Sequence, residues 1–408
     1  MNSDKIFELA LGLSTPWYVS KIEILSGDDN KKSIHLHIDY GSGHFVDSTG
    51  QSTVHDRVDR KWRHLNFFEH ECYLHCRVPR IRAHKDAKVT QVEVPWSRKG
   101  SGFTLLFEAF SMALIELEMP VNKVGRLLGE YPNRLWTIFN YWISIAYSEA
   151  EHDNITRLGI DETSTKKGHS YMSVAVDMEE RKVIHACQGK GSEAITQIAD
   201  YLEVKGTSRD SIKKVCIDLS PSFISGVSQE FESAQIIFDR YHVKALLNKA
   251  MDDVRKKELR LHQILKGHKY LFLKNNKNLN AAQKQDRNEL LEVLPTIGQA
   301  YRLKVLFDDF WEMNDPEESQ GFLSYWCDLA KESKIFPMMK FANTIKKHWS
   351  GIVNYTKSKM SNGILEGINS KIQLAKRRAR GYRNTTNFIN MVYFIAGKLE
   401  FKYPQYST

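Results

Sequence analysis

Strict alternation of apolar and polar residues is clearest from Tyr171 to Met178. Met172, Val174, Val176 and Met178 share one face, and Tyr171, Ser173, Ala175 and Asp177 share the other. A short apolar entry (Leu158, Ile160), an acid pair (Asp161, Glu162) and a polar turn centred on Lys167–Gly168 precede it. Gly168 gives the turn a permissive backbone, so the stretch predicts a hairpin with Asp161 at the end of its buried first strand. Asp also favours turn starts, so Asp161 alone decides nothing.

The rest of the chain changes period several times. Residues 1–100 are β-rich, with alternation over Ser33–Asp39, Cys72–Val78 and Val89–Val94. Residues 101–150 turn helical. Phe103, Leu106, Phe107, Phe110, Leu114 and Leu117 recur at three- and four-residue steps, a short helix runs from Val121 to Leu128 between Pro120 and Gly129, and a third covers Arg134–Tyr147. Three helices joined by tight turns fit a helix-turn-helix, or a plain helical packing unit.

Residues 151–242 alternate strand and helix. After the hairpin come a strand at Lys182–Gln188, a helix at Glu193–Leu202, and a buried strand in Lys214–Leu219 that reaches Asp218. A helix capped by Ser220 with Pro221 in its first turn follows, then a strand over Ala234–Phe238. This order predicts a mixed α/β sheet. Residues 243–345 read as an inserted helical subdomain, with Leu259–Leu265 continuing its first helix and Lys274–Asn280 as a polar loop. Residues 346–408 return to the core. There Ser361–Ala375 predicts a helix with an apolar stripe (Ile364, Leu365, Ile368, Ile372) and a polar one (Asn362, Glu366, Asn369, Gln373).

Composition narrows the class. The chain has 408 residues, 42% hydrophobic and 26% charged, which describes a soluble multidomain protein. Its 58 Lys and Arg against 49 Asp and Glu give +9, in keeping with an anionic partner such as nucleic acid. The five cysteines are scattered, which disfavours a disulfide framework, and the early acids of the N-terminus do not read as a signal peptide. The most apolar stretch, Trp136–Tyr147, is too short to span a bilayer. His55, His64, His70, Cys72, His75 and Cys76 lie close together, but on an alternating strand Cys72 and Cys76 would share a face about 13 Å apart. Core or surface residues are expected there rather than a metal site.

Three acids stand where chemistry could use them. Asp161 and Asp218 end strands, and Glu366 projects from a packed helix with amides above and below it. Three carboxylates can hold two hard divalent ions, which serve phosphodiester cleavage without a side-chain nucleophile. The tract Lys376, Arg377, Arg378, Arg380 and Arg383 follows at once, carries Tyr382 and no acid, and suits a phosphate backbone.

These stretches resemble the ISL-three family of bacterial insertion-sequence transposases. The matches are GIDET…KKGHSY (Gly159–Tyr171), CIDLSPSFI (Cys216–Ile224), FDRYHV (Phe238–Val243) and SNGILEGINSKI (Ser361–Ile372) running into KRRARGYRN. HDRVDRKWRHLN (His55–Asn66), VPWS (Val94–Ser97) and GFTLLFE (Gly102–Glu108) precede them in the same order. The resemblance implies an α/β fold: a ribonuclease H-like catalytic core with a helical insertion, after a small β-rich, degenerate zinc-ribbon-like region and a helix-turn-helix. It implies a DDE transposase with Asp161, Asp218 and Glu366 as catalytic triad and metal ligands for Mg2+ or Mn2+. The expected partners are the terminal inverted repeats and target DNA, bound by a homo-oligomer, in the bacterial cytoplasm at the nucleoid and away from membranes.

Asn133 and Arg134 are the candidate base-reading residues, and the tract Lys376–Arg383 the candidate phosphate contacts. His242, after the last core strand, either assists by positioning a phosphate or the leaving oxygen, or packs at a helix start. The family's zinc-ribbon cysteines would fall within His44–Thr53 and near Ala83–Lys85, where this chain has none, so zinc is not expected. A transposase-derived DNA-binding protein without cleavage is the alternative, and metal-dependent cutting separates the two. A ribonuclease H-like nuclease acting on structured nucleic acid would leave the N-terminal region unexplained.

Overall fold

Ile34, Leu36 and Ile38 meet Cys72, Leu74, Cys76 and Val78 on one face of a sheet, with Trp17, Trp62 and Trp96 closing the core. In this computed structural model, residues 3–26, 32–41, 43–46, 51–82, 88–166, 170–360 and 363–404 are described. The polar turn at Lys167–Gly168 and Asn362 of the polar stripe lie outside them. The chain divides into two compact units, one of Met1–Glu149 with Arg377–Arg380 and Leu399–Thr408, the other of Ala150–Lys376 with Gly381–Lys398.

The first unit begins with helix α1 (Ser3–Ala10), which the β-rich reading did not include. Strands β1 (Trp17–Ser26), β2 (Lys32–Tyr40), β3 (Val54–Phe67), β4 (His70–Ile81) and β5 (Thr90–Gln91) form one sheet, ordered β1-β2-β4-β3 with β5 on β4. Only two residues of the expected Val89–Val94 strand pair. The helices are α2 (Leu105–Glu116), α3 (Val121–Leu128) and α4 (Pro132–Glu149). Thr104 caps α2 by accepting from Phe107 N, which leaves Phe103 ahead of the helix. Gly129 ends α3 at φ 70, the left-handed conformation a glycine tolerates. The fully buried Glu108 accepts from Arg98 Nε (2.9 Å), Ser101 Oγ (2.6 Å) and Trp142 Nε1 (2.8 Å), tying α2 to α4 and the preceding loop. Buried Arg63 donates to the carbonyls of Cys72 and Leu128, both at 3.2 Å, joining the sheet to the end of α3.

The second unit is organised on β6 (Arg157–Ser164), β7 (Tyr171–Asp177), β8 (Lys182–Gln188), β9 (Lys214–Ile217) and β10 (Gln235–Phe238). Their order is β10-β9-β6-β7-β8. β6, β7 and β8 make an antiparallel meander, whereas β9 runs parallel to β6 and β10 parallel to β9. Helices α5 (Ser192–Val204) and α6 (Pro221–Glu230) make the crossovers. β7 is buried on both faces except at Tyr171 and lies inside the sheet between β6 and β8, so its alternation does not mark a solvent side.

The helical segment comprises α7 (Arg240–Leu259), α8 (Lys269–Leu273), α9 (Ala281–Val293), α10 (Pro295–Phe310), α11 (Pro316–Glu332), α12 (Phe336–Lys347) and α13 (Trp349–Ser358). α7 stops at Leu259, and Gln263–Leu265 is a separate short turn rather than its continuation. Rings of Phe307, Trp326 and Phe341 meet edge-on at 4.9–5.5 Å in its core. Helices α14 (Gly363–Arg378) and α15 (Thr385–Ala396) complete the unit. The Tyr393 hydroxyl of α15 bridges the backbone of Ala186 on β8.

Candidate active site

Three aspartates stand level, Asp161 within β6 and Asp218 and Asp239 one residue past the ends of β9 and β10. Pairing of β6 with β9 ends at Gly159↔Cys216, and pairing of β10 with β9 ends at Phe238↔Ile217. Carried forward, these registers set Asp161 beside Asp218 and Asp239 beside Asp218. Asp161 does not end its strand: β6 runs on to Ser164 against β7, and it is β9 that stops short. Each aspartate braces one oxygen on a nearby backbone N–H: Asp161 on Glu162 (2.8 Å), Asp218 on Ser220 (2.9 Å) and Asp239 on Tyr241 (3.1 Å). Asp239 caps α7 in doing so. Ser220 occupies the cap position of α6, but its hydroxyl bonds Ser222 Oγ instead of a backbone amide.

Helix α14 lies along β6 in register. Gly159 faces Leu365, Asn369 Nδ2 donates to Asp161 Oδ2 (2.7 Å), Gln373 Nε2 to Thr163 Oγ1 (2.8 Å) and Lys376 Nζ to the Ser164 carbonyl (2.7 Å). A Cβ at Gly159 would meet Met178 Sδ at 2.5 Å and Leu365 Cδ1 at 2.8 Å, so those two side chains pack directly over the glycine and would have to shift. Glu366 is in the first turn of α14, exposed, one turn before Asn369. Among the described residues no three His, Cys, Asp or Glu side chains are grouped to hold a metal ion. The sheet thus brings Asp161 and Asp218 together, and the register of α14 on β6 puts Glu366 one turn before the Asn369 that bonds Asp161.

Charge crowding marks the place. Burial, then the like charges of Asp218 and Asp239, push the Asp161 carboxyl above the usual range, against the Glu162 amide and His242. Glu162 is raised by burial and by Asp218. Cys216, buried beneath, is raised well above the ordinary thiol value by burial and by the charges of Asp239 and Asp161.

Comparison with known proteins decides the family. A transposase model of the DDE type of family ISL3 matches residues 158–392, more than half of the chain. The chain belongs to transposase family ISL3. A helix-turn-helix domain of the same family matches residues 92–143, and a zinc-finger of the transposases of IS204, IS1001, IS1096 and IS1165 matches residues 50–82. The transposase for insertion sequence element IS1001 of Bordetella parapertussis is 26% identical over 344 residues, 82% of this chain and 84% of that protein. The transposase for IS1557 of Mycobacterium tuberculosis is 25% identical over 365 residues, 80% of this chain and 79% of that protein.

The other candidates of this transposase are placed as follows. His242 stands in the first turn of α7, its Nε2 3.7 Å from Asp239 Oδ2, close enough that its imidazolium form would lower the carboxyls of Asp161 and Glu162. Asn133 is exposed in the first turn of α4. Arg134, exposed beside it, donates to both oxygens of Glu130 (2.7 and 2.8 Å), and its guanidinium lies 4.3 Å from the Phe103 ring centre. Arg377 and Arg378 end α14, Arg378 paired with Glu118, and Arg380 follows at φ 58 before Gly381. Lys166 Nζ donates to the Arg383 carbonyl at 3.2 Å, so Arg383 is tied through its backbone.

Within the zinc-finger match, Cys72 and Cys76 both point into the sheet core, and burial pushes their thiols up to about 11 and about 12. The ribbon's expected cysteine positions lie partly, at 47–50, and wholly, at 83–85, outside the described residues. Among the described residues no helix is long and apolar enough to cross a membrane.

Sequence reasoning missed Asp239, which reads as a helix cap, and the part of Asn369. An amide on the polar stripe was visible, but its hydrogen bond with Asp161 needs the pairing of α14 with β6.

Proposed function

We propose that this transposase binds the terminal inverted repeats of its insertion sequence through its helix-turn-helix, cuts the DNA strands there, and joins them to target DNA as a homo-oligomer. The five-stranded sheet, a meander with two parallel strands added beside its first strand, supports a ribonuclease H-like reading of the core. The observation that carries the chemistry is the level pair Asp161 and Asp218, with α14 and its Glu366 registered along the same strand.

Hard oxygen donors around a carboxyl raised by burial, and further by neighbouring carboxylates, fit Mg2+ or Mn2+, and Asp161, Asp218 and Glu366 are the residues that would hold it. Bound divalent ions supply activation of the attacking oxygen and stabilisation of the leaving one. The chain's own part is to fix Asp161 from two sides, by the Glu162 amide and by Asn369, and to set the His242 ring beside the same carboxylates. In this reading His242 positions a phosphate or the leaving oxygen, Asn133 reads bases, and Lys376, Arg377, Arg378, Arg380 and Arg383 hold phosphates.

Cleavage of DNA carrying the element's ends, with Mg2+ or Mn2+, is the test. Asp161→Asn, Asp218→Asn and Glu366→Gln should each abolish cutting and leave end binding in place. A wild-type protein that binds ends yet never cuts them would favour the binding-only reading.

A further inference from the structure

Nearly all of the chain's excess charge lies in one short stretch. From Arg255 to Lys284 there are nine lysines and arginines against a single acid, Glu258, a net +8 where the whole chain carries +9. Not all of these cations are available. Arg255 and Lys256 are paired with Asp252 at 2.8 and 3.0 Å, and Lys257 lies over the Phe336 ring. Arg260, Lys266, Lys269, Lys274 and Lys277 are exposed and make no ion pair among the described residues. The one acid is half-buried and faces His262 at 3.9 Å.

The backbone that carries them is held from below. Buried Lys304 donates to the carbonyls of Phe272 (2.7 Å) and Leu273 (3.2 Å), at the end of α8. Buried Arg287 donates to Asn276 Oδ1 (2.8 Å) and to the Tyr301 hydroxyl (2.9 Å). Leu271 and Phe272 anchor α8 in the core, leaving Tyr270 62% exposed with Lys269 and Lys274 both within 6 Å of its ring. Exposed cations without acid partners on a braced backbone, two of them at an exposed tyrosine ring, are a donor set that grips phosphate oxygens without reading bases.

We propose that this face, from the end of α7 through α8 to the start of α9, is a second DNA-binding surface that clamps the duplex by its backbone, separate from the helix-turn-helix and from the tract after α14. It rests on the chain's acting on DNA, and not on the cleavage chemistry.

The test uses the full chain with Lys266, Lys269, Lys274 and Lys277 all changed to Gln. These side chains are exposed, and an unchanged melting temperature would show that the fold is kept. Binding to a random-sequence duplex is followed across a salt series in chelator, where no cutting can occur. The plot of log affinity against log salt should flatten by about 0.9 for each phosphate that the variant no longer neutralises, while the preference for end over random DNA stays as in the wild type. An unchanged slope and affinity would overturn the proposal, including the case where the variant instead loses binding to polyglutamate. If the slopes separate as expected while wild-type protein cuts nothing, the cleavage reading fails and this surface stands.

Discussion

Asn369 donates its side-chain Nδ2 to Asp161 Oδ2 at 2.7 Å, fastening helix α14 to the strand that carries a carboxyl raised by burial. The opposite oxygen of Asp161 takes the Glu162 amide, so the carboxylate is fixed from both sides. Asn369→Ala should remove one brace, leaving the group free to turn. The expected result is a several-fold rise in the Mg2+ concentration that half-saturates cleavage, with end binding unchanged. Asn369→Asp adds a like charge and should be the more damaging of the two. Equal metal dependence in wild type and both variants would reduce Asn369 to packing.

Gly159 tests the same fastening by sterics. Ala there places a methyl at 2.5 Å from Met178 Sδ and 2.8 Å from Leu365 Cδ1. Overpacking of this kind costs about 1–3 kcal/mol. Both atoms belong to flexible side chains; if Leu365 gives way by shifting α14 rather than by turning, cleavage should fall further than the stability loss alone explains. Thermal unfolding and single-turnover cutting on one preparation separate the two effects.

How far the site could be read from the chain follows from these same residues. Asp161 and Asp218 each close a short apolar run, and that pattern is visible in sequence. Asp239 also closes one, but it opens a helix, so capping explains it fully until the strand order sets it beside Asp218. β3 escaped notice for a different reason. It is the edge strand of its sheet, most of its first eight residues are exposed, and its polar sequence VHDRVDRKWRHLNF lacks the alternation a half-buried strand shows. α1 packs beside β1 through a few apolar residues, too short a repeat to stand out.

Glu108 is buried with three donors and closes the helix-turn-helix core. Glu108→Ala strands Arg98 and leaves the Trp142 indole N–H without its acceptor. Removing one partner of a buried pair costs about 3–5 kcal/mol. Urea unfolding should show a loss of that order, and Glu108→Gln, which keeps an acceptor, should lose less.

Acid should weaken the fold through its buried histidines. Burial and the neighbouring Arg63 push His64 from an ordinary value of 6.5 down to about 4, and burial does the same to His152 and His185. Above pH 6.5 neither folded nor unfolded chain carries the proton. Between about 6.5 and 4 the unfolded chain takes it up and the folded one does not. Stability is therefore present above that window and lost as pH falls through it, by up to about 1.4 kcal/mol per pH unit for each histidine. His64 Nδ1 faces Thr104 Oγ1 at 2.8 Å, and an Asn oxygen would stand in its place. His64→Asn should make the pH dependence of urea unfolding shallower by about one proton, and an unchanged slope would remove His64 from the account.

Under the proposed function, base reading and support fall to different residues of the helix-turn-helix. Asn133 and Arg134 are adjacent in the first turn of α4, yet their side chains are committed differently. Arg134 is held by both oxygens of Glu130 and stacked on Phe103, so its guanidinium already helps to hold the loop before α2 against α4. Asn133 is exposed, and its amide carries the donor and acceptor that suit an adenine edge. Asn133→Ala should leave the melting temperature unchanged and lower the preference for end over random DNA, by about 1–3 kcal/mol if the amide makes one bidentate pair with a base. Arg134→Ala should lower the melting temperature as well. Binding to random DNA should be nearly unaffected by Asn133→Ala, because phosphate contacts carry it. By contrast, replacing Arg377, Arg378 and Arg380 together with Ala should weaken end and random DNA by similar factors and flatten the salt dependence. If Asn133→Ala instead weakened both DNAs equally while the arginine variant lost only discrimination, the two regions would have exchanged roles, and the tract after α14 would be the part that reads sequence.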